Sequence, residues 1–242
     1  MSSPGKAPRT AFILAAGLGT RMRPLTDDRP KALVKVGGKA LIDHMLDRLK
    51  AAGAERFVVN AHYFADRLEA HLKGRADLDI VVSDERGALL ETGGGLKKAR
   101  PLLGEDPIWV ANTDSVWRED EGGDALNDLV RLWNAETMDA ALLLAEMART
   151  TGFDGAGDVF RDDGVHLRFR NEAPAAPLNY MGVHITRPQI VDAEPEAAFS
   201  LAKIWRRAAP QGRLTGTVMR GDWMHVGDPQ ALKDAEVRLA AG

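Results

Sequence analysis

The chain contains no cysteine, which excludes disulfides, thiolate zinc sites and cysteine nucleophiles and fits a reducing cytoplasm. It also lacks a long apolar run. Met1 to Arg9 are small, polar and proline-containing, and the apolar stretch that follows is too short for a signal or membrane helix. Neither charge dominates: 32 Lys and Arg stand against 35 Asp and Glu, a net charge of -3. No broad basic surface is therefore available for nucleic acid or an anionic bilayer, and any phosphate ligand must be met by local groups. Internal repeats, low-complexity tracts and linkers are missing too, so the expectation is one domain over residues 1–242.

What is present is ample apolar material, 45% of 242 residues, arranged as short strand-like runs alternating with helical patterns. That alternation reads as a parallel sheet covered by helices. Strands are predicted at Thr10–Ala15, Phe57–Asn60, Ile80–Val82, Ile108–Ala111, Ala140–Glu146, Tyr180–Ile185 and Leu214–Met219. Helices are predicted at Leu41–Ala52, stopped by Gly53, and at Ala65–Leu72, Leu96–Leu103, Leu126–Asn134, Ser200–Ala208 and Gln230–Ala240. A turn at Asp162-Asp163-Gly164 predicts a strand pair around it.

The most informative stretch follows the first strand: Leu14-Ala15-Ala16-Gly17-Leu18-Gly19-Thr20-Arg21-Met22. A glycine-rich loop at a strand's carboxyl end presents backbone amides to phosphates, small residues leave a flat surface for a base, and Thr20 and Arg21 add donors. The dinucleotide-binding pattern lacks its third glycine here, since Met22 occupies that position. A P-loop lacks its terminal Gly-Lys-Ser/Thr. A dehydrogenase reading is disfavoured on the same grounds.

Downstream come Arg23-Pro24-Leu25-Thr26 and Arg29-Pro30-Lys31-Ala32-Leu33-Val34. From Leu14 to Val34 the sequence resembles the signature of the sugar-1-phosphate nucleotidyltransferases. The resemblance implies a Rossmann-like, GT-A-like three-layer α/β sandwich with a mixed, mainly parallel central sheet. It implies Arg21 on the triphosphate and Lys31 bridging the reacting phosphates as catalytic residues, with Pro30 holding the chain extended before Lys31. Leu14, Ala15, Ala16, Gly17, Gly19 and Thr20 line the nucleotide, as do Glu91, Thr92, Gly93 and Gly94 of a second glycine-rich segment. That segment is expected to precede a helix and offer its amides and open space to the base. Glu91 stands where many relatives carry glycine, which resembles the branch acting on N-acetylmuramate-1-phosphate with UTP.

Asp114, after the strand Ile108–Ala111, takes by resemblance the role of a Mg2+ ligand. The second metal carboxylate of the family falls in Trp223-Met224-His225-Val226-Gly227-Asp228-Pro229, where His225 replaces aspartate. Magnesium prefers hard oxygen ligands, so either His225 orients a ligand or Asp228 supplies the carboxylate. On the sugar-phosphate side the candidates are Lys31, Asn112, Asp158, Asn171, Glu172 and Asn179. Relatives with Glu-Lys-Pro carry a lysine where this chain has Ala173.

The implied partners are a nucleoside triphosphate and a sugar-1-phosphate, with no nucleic acid and no membrane; nothing in the sequence sets an oligomeric state. Enzymes using mannose-1-phosphate with GTP, or heptose phosphates, are neighbouring readings. A nucleotide-binding regulatory subunit without catalysis is a reading of another class, motivated by His225 and the missing lysine. The short stretch after Pro229 leaves no room for the β-helix or acyltransferase domain of larger relatives.

Overall fold

The computed structural model describes residues 6–241; the sequence reading of Met1 to Gly5 lies outside them. In chain order the elements are β1 (Thr10–Leu14), β2 (Lys35–Val36), β3 (Lys39–Ala40), α1 (Leu41–Ala51), β4 (Arg56–Ala61), α2 (Ala65–Lys73), β5 (Asp79–Asp84), α3 (Glu91–Ala99), β6 (Ile108–Asn112) and β7 (Ser115–Glu119). There follow α4 (Ala125–Leu132), β8 (Ala140–Glu146), β9 (Thr150–Thr151), β10 (Val159–Asp162), β11 (His166–Phe169), β12 (Leu178–Thr186), α5 (Ala202–Ala208), β13 (Leu214–Val218), β14 (Gly221–His225) and α6 (Pro229–Ala240).

Nine strands form one mixed sheet in the order β10-β11-β13-β8-β12-β6-β1-β4-β5. By their pairings only β11 and β12 run against the other seven. Strand residues alternate between two apolar layers because successive side chains point to opposite faces. Ala11, Ile13, Phe57 and Val59 pack with α1, α2 and α4, while Phe12, Val58, Ile108 and Val110 pack with α3 and α5. The three-layer sandwich expected from the sequence is the architecture observed. In α1 the buried stripe Leu41, Ile42, Met45, Leu46 and Leu49 faces the sheet, and the chain leaves the helix through Gly53 at φ 96°.

Strand β1 lies between β4 and β6. The chain builds outward to β5 on one side before crossing to β6 on the other, and the reversal opens a crevice at the strands' carboxyl ends. The loop after β1, Asn60 of β4, the residues after β5 and the residues after β6 all meet there.

Two features depart from the sequence reading. Helix α3 begins at Glu91 rather than at Leu96, so the glycines lie inside it. A second sheet, β7-β14-β9, was not predicted; its strands are short and mix polar with aromatic residues. Trp117 and Trp223 face one another in its antiparallel register, both buried, and Trp223 Nε1 donates to Ser115 Oγ at 2.6 Å. Arg48 of α1 stacks on Trp117 at 4.1 Å. This sheet carries His225 to the crevice.

Candidate active site

A cavity of about 400 Å3 occupies the crevice, lined in part by Leu14, Ala15, Ala16, Gly17, Lys31 and Asp114. Its floor is pinned by a buried asparagine. Asn60 Oδ1 accepts from the Ala15 amide at 2.6 Å and the Ala16 amide at 3.1 Å, and its Nδ2 donates to Glu85 Oε1 at 2.9 Å. Those two amides are thereby taken and are not available to a ligand. A Cβ placed on Gly17 would meet nothing within 4 Å, so the loop turns open space toward the cavity there. Burial raises the carboxyl of Glu85 above its ordinary value, and its Oε2 has no partner among the described residues.

The signature that follows folds back under this loop. Gly19 adopts φ 62°, and Thr26, fully buried, donates through Oγ1 to its carbonyl at 2.8 Å. Pro30 is extended at φ -69°, ψ 152°, and starts the short 3-10 turn Lys31–Leu33. Lys31 Nζ thus reaches Asp114 Oδ2 at 2.9 Å.

The second glycine-rich segment works differently from its sequence reading. The amides of Gly93 and Gly94 donate to the Phe199 carbonyl at 2.8 and 3.1 Å, leaving neither for a ligand. The space beside them is filled by the protein. A Cβ on Gly93 would lie 2.2 Å from the Phe199 ring, and one on Gly94 would lie 2.4 Å from the Ala197 carbonyl oxygen. These glycines let the segment around Phe199 close onto α3, while Glu91 and Thr92 face the cavity.

Asp114 sits between β6 and β7, its carbonyl accepting from the Val226 amide at 2.9 Å. That bond places it beside β14, where His225 Nε2 lies 3.4 Å from Asp114 Oδ2. Burial alone would raise the Asp114 carboxyl, but the hydrogen bond from His225 and the charge of Lys31 outweigh it and hold the group well below the usual carboxylate range. Arg21 projects from the turn Thr20–Met22 toward Gly227, its Nη1 3.6 Å from where a Gly227 Cβ would be, and makes no ion pair among the described residues. Asp228 is engaged elsewhere: it caps α6, accepting from the amides of Gln230 and Ala231 at 2.8 and 2.9 Å. Of the two residues considered for the second metal position, His225 is the one beside Asp114.

Residues 10–242 match the family described as Nucleotidyl transferase. The chain is 54% identical over 239 residues to the N-acetylmuramate alpha-1-phosphate uridylyltransferase of Caulobacter vibrioides, covering 97% of this chain and 98% of that protein. It is 36% identical to the protein of the same description in Neisseria meningitidis serogroup B, covering 96% and 98%. This chain belongs to the nucleotidyl transferase family. The solved inositol-1-phosphate CTP transferase from T. maritima superposes with a TM-score of 0.76 at 16% identity, covering 98% of each chain, and shares the fold.

Within this nucleotidyltransferase the sugar-side candidates separate. Asn112 lines the crevice cavity, held against Gly182 at φ 82°. Asp158 and Asn171 line a neighbouring cavity of about 270 Å3 with Tyr180, Trp205 and Arg206. Tyr180 links the two regions, close enough to Asp114 for that charge to add to burial in raising its phenol. Glu172 is exposed on a turn. Asn179 is buried, donating to Thr150 Oγ1 at 3.3 Å, and lines neither cavity. Asn60, Glu85, Leu89, Thr113 and Ser200 also line the crevice cavity and escaped the sequence reading. Asn60 had a signal: it ends a predicted parallel strand, where ligands of such sheets bind.

Proposed function

We propose that this nucleotidyltransferase joins the nucleotidyl group of UTP to N-acetylmuramate-1-phosphate and releases pyrophosphate. The observation that carries the chemistry is the contact of Lys31 Nζ with Asp114 at the mouth of a cavity walled by the glycine-rich loop. The two relatives described above, each matched over 98% of its length, support the choice of sugar and base over the mannose and GTP reading. The nine-stranded sheet shared by the nucleotide and sugar regions supports reading residues 1–242 as one domain.

The attacking oxygen of a sugar phosphate is ionised at neutral pH, so the site needs no general base. Its work is to align two anions and offset their repulsion. The loop from Gly17 to Thr20 receives the triphosphate, Arg21 offsets charge gathering on the departing pyrophosphate, and Lys31 ties the nucleophile to the α-phosphate. Asn112, Asp158 and Asn171 orient the sugar phosphate. The residues present fit a divalent cation, because a carboxylate and an imidazole converge within 3.4 Å and the missing side chain of Gly227 leaves the ring its space. Asp114 and His225 would hold Mg2+ or a similar ion, which supplies charge neutralisation at the phosphate oxygens.

Pyrophosphate release tests this reading, with UTP, GTP, CTP, dTTP and ATP each paired with a panel of sugar-1-phosphates. Turnover confined to UTP with N-acetylmuramate-1-phosphate, and lost in Arg21→Ala, is expected. Turnover with another pair would replace the substrates and keep the chemistry. Nucleotide binding without turnover for any pair would support the regulatory reading.

A further inference from the structure

We infer that His225 is a direct nitrogen ligand of the active-site cation, and that this mixed nitrogen and oxygen donor pair shifts the protein's metal preference from Mg2+ toward first-row transition ions. The inference rests on the nucleotidyl-transfer reading only in locating the cation between Asp114 and His225.

The tautomer is the first argument. His225 Nδ1 lies 3.1 Å from the carbonyl oxygen of Gly152. A carbonyl only accepts, so Nδ1 carries the proton and donates it there. The other ring nitrogen, Nε2, faces Asp114 Oδ2 at 3.4 Å. A proton or a metal cation can lie between the two, and ligation by Nε2 releases the proton that otherwise bonds Asp114. Metal-bound histidines almost always donate their other ring N–H to a carbonyl or carboxylate in this way, which fixes the ring and raises its basicity. Donors held at roughly 2.0–2.2 Å by one cation stand about 3 Å apart when they are neighbours in its shell, and the observed spacing suits such a pair.

The ring's housing is the second argument. A Cβ on Gly227 would fall 2.8 Å from His225 Cε1, and Gly152, at φ 74°, would direct a Cβ to 2.4 Å from the His225 carbonyl oxygen. Both glycines make room for this histidine. Phe153 meets the imidazole edge-on, with centroids 5.9 Å apart, and the antiparallel register sets His225 opposite Ser115, the residue after Asp114. A side chain oriented by a carbonyl, a glycine cradle and strand register is built to present one atom, and that atom is Nε2.

The donor chemistry is the third. Mg2+ takes oxygen ligands and gives up water reluctantly, whereas imidazole favours later first-row ions. Among the described residues no third His, Cys, Asp or Glu joins the pair, so phosphate oxygens and water complete the shell and the cation enters with the nucleotide. Lys31 shares Asp114 Oδ2 at 2.9 Å; an incoming cation competes with that ammonium for the carboxylate, and the second donor offsets the competition.

The test uses the full-length protein with Mn2+, the weakest binder of the transition series and hence the most demanding probe. Bound Mn2+ is counted by electron paramagnetic resonance with and without UTP. Its ligands are read by electron spin echo modulation on ordinary protein and on protein grown with 15N-histidine. The inference expects a 14N modulation in the Mn2+–UTP complex that converts to the 15N pattern on labelling. It also expects that His225→Asp loses this modulation, still binds Mn2+, and lowers the Mn2+ to Mg2+ affinity ratio by roughly tenfold, the lower end of what altering a ligand shell costs. A complex without histidine modulation overturns it, as does an unchanged ratio in a folded His225→Asp. The labelling result on the unaltered protein decides the matter if the variant fails to fold. Turnover with no nitrogen signal would sink this inference and leave the function standing; a nitrogen signal without turnover would do the reverse.

Discussion

The side-chain oxygen of Asn60 lies 2.6 Å from the amide of Ala15, and one asparagine thereby fixes the height at which the glycine-rich loop leaves the sheet. Asn60→Ala strands two amides and the Glu85 carboxyl, so a loss of about 1–3 kcal/mol is expected. Nucleotide affinity falls with it. Asn60→Asp keeps the acceptor but sets a second carboxylate against Glu85, so its melting temperature is expected to drop more at pH 8 than at pH 5. Equal losses at both values would show that the contact with Glu85 contributes nothing.

Gly17 and Gly94 serve different purposes, and alanine separates them. Gly94→Ala drives a methyl into the Ala197 carbonyl, and overpacking of this kind costs about 1–3 kcal/mol. Gly17→Ala meets only open space in the protein. Its melting temperature is expected to match the parent while its nucleotide dissociation constant rises. Calorimetry of both variants, with and without UTP, checks the contrast.

Lys31→Ala removes the ammonium that pairs with Asp114 and, in the proposed reaction, contacts the phosphates. A fall in kcat of about 100-fold or more is expected, the scale seen when one preorganised electrostatic contact is lost. The fold is expected to persist. If kcat is unchanged and only KM rises, Lys31 binds substrate and takes no part in the transition state.

Glu85 gives a stability effect whose sign follows from its raised carboxyl. The fold favours the protonated form, so stability declines as pH rises from the ordinary value of 4.5 toward the higher folded value. Glu85→Gln does not titrate. Urea unfolding at a series of pH values is expected to show the variant gaining on the parent through that window and keeping a constant lead above it; a lead already complete at pH 4 would contradict the assignment.

His184 acts at the acid end. Burial lowers it from 6.5 to about 3, and its Nδ1 shares a 2.7 Å hydrogen bond with the Tyr180 hydroxyl. The unfolded chain takes up a proton below about pH 6.5 that the folded chain refuses, so stability is full above that value and is lost as pH falls toward 3. His184→Gln is expected to flatten the slope of unfolding free energy between pH 6.5 and 4.5. An identical slope would assign the acid sensitivity to other groups.

Much of the nucleotide half was legible because its chemistry is local in sequence. The loop after β1, the extended Pro30 before Lys31, and Asp114 after β6 each sit within a few residues of the strand that positions them. What was illegible depends on partners distant in sequence. The glycines of α3 read as a ligand surface, yet they answer to Phe199 and Ala197, a hundred residues onward. Glu85 carries no signal in the sequence, and its role shows only in the bond from Asn60 beneath it. Strands β7 and β14 alternate too weakly to announce themselves, and what holds them is the Trp117 and Trp223 pair across their register.

That register has a consequence for the order in which the chain can assemble the site during synthesis. Asp114 and the glycine-rich loop emerge early, and the cavity walls they form belong to the parallel half of the sheet. His225 arrives only with β14, and it reaches Asp114 only once that strand has paired with β7 in the correct frame, since a slip of one residue turns every side chain to the opposite face. Every residue lining the crevice cavity thus precedes His225 in the chain, and the Asp114 and His225 pair forms only when this last strand has docked.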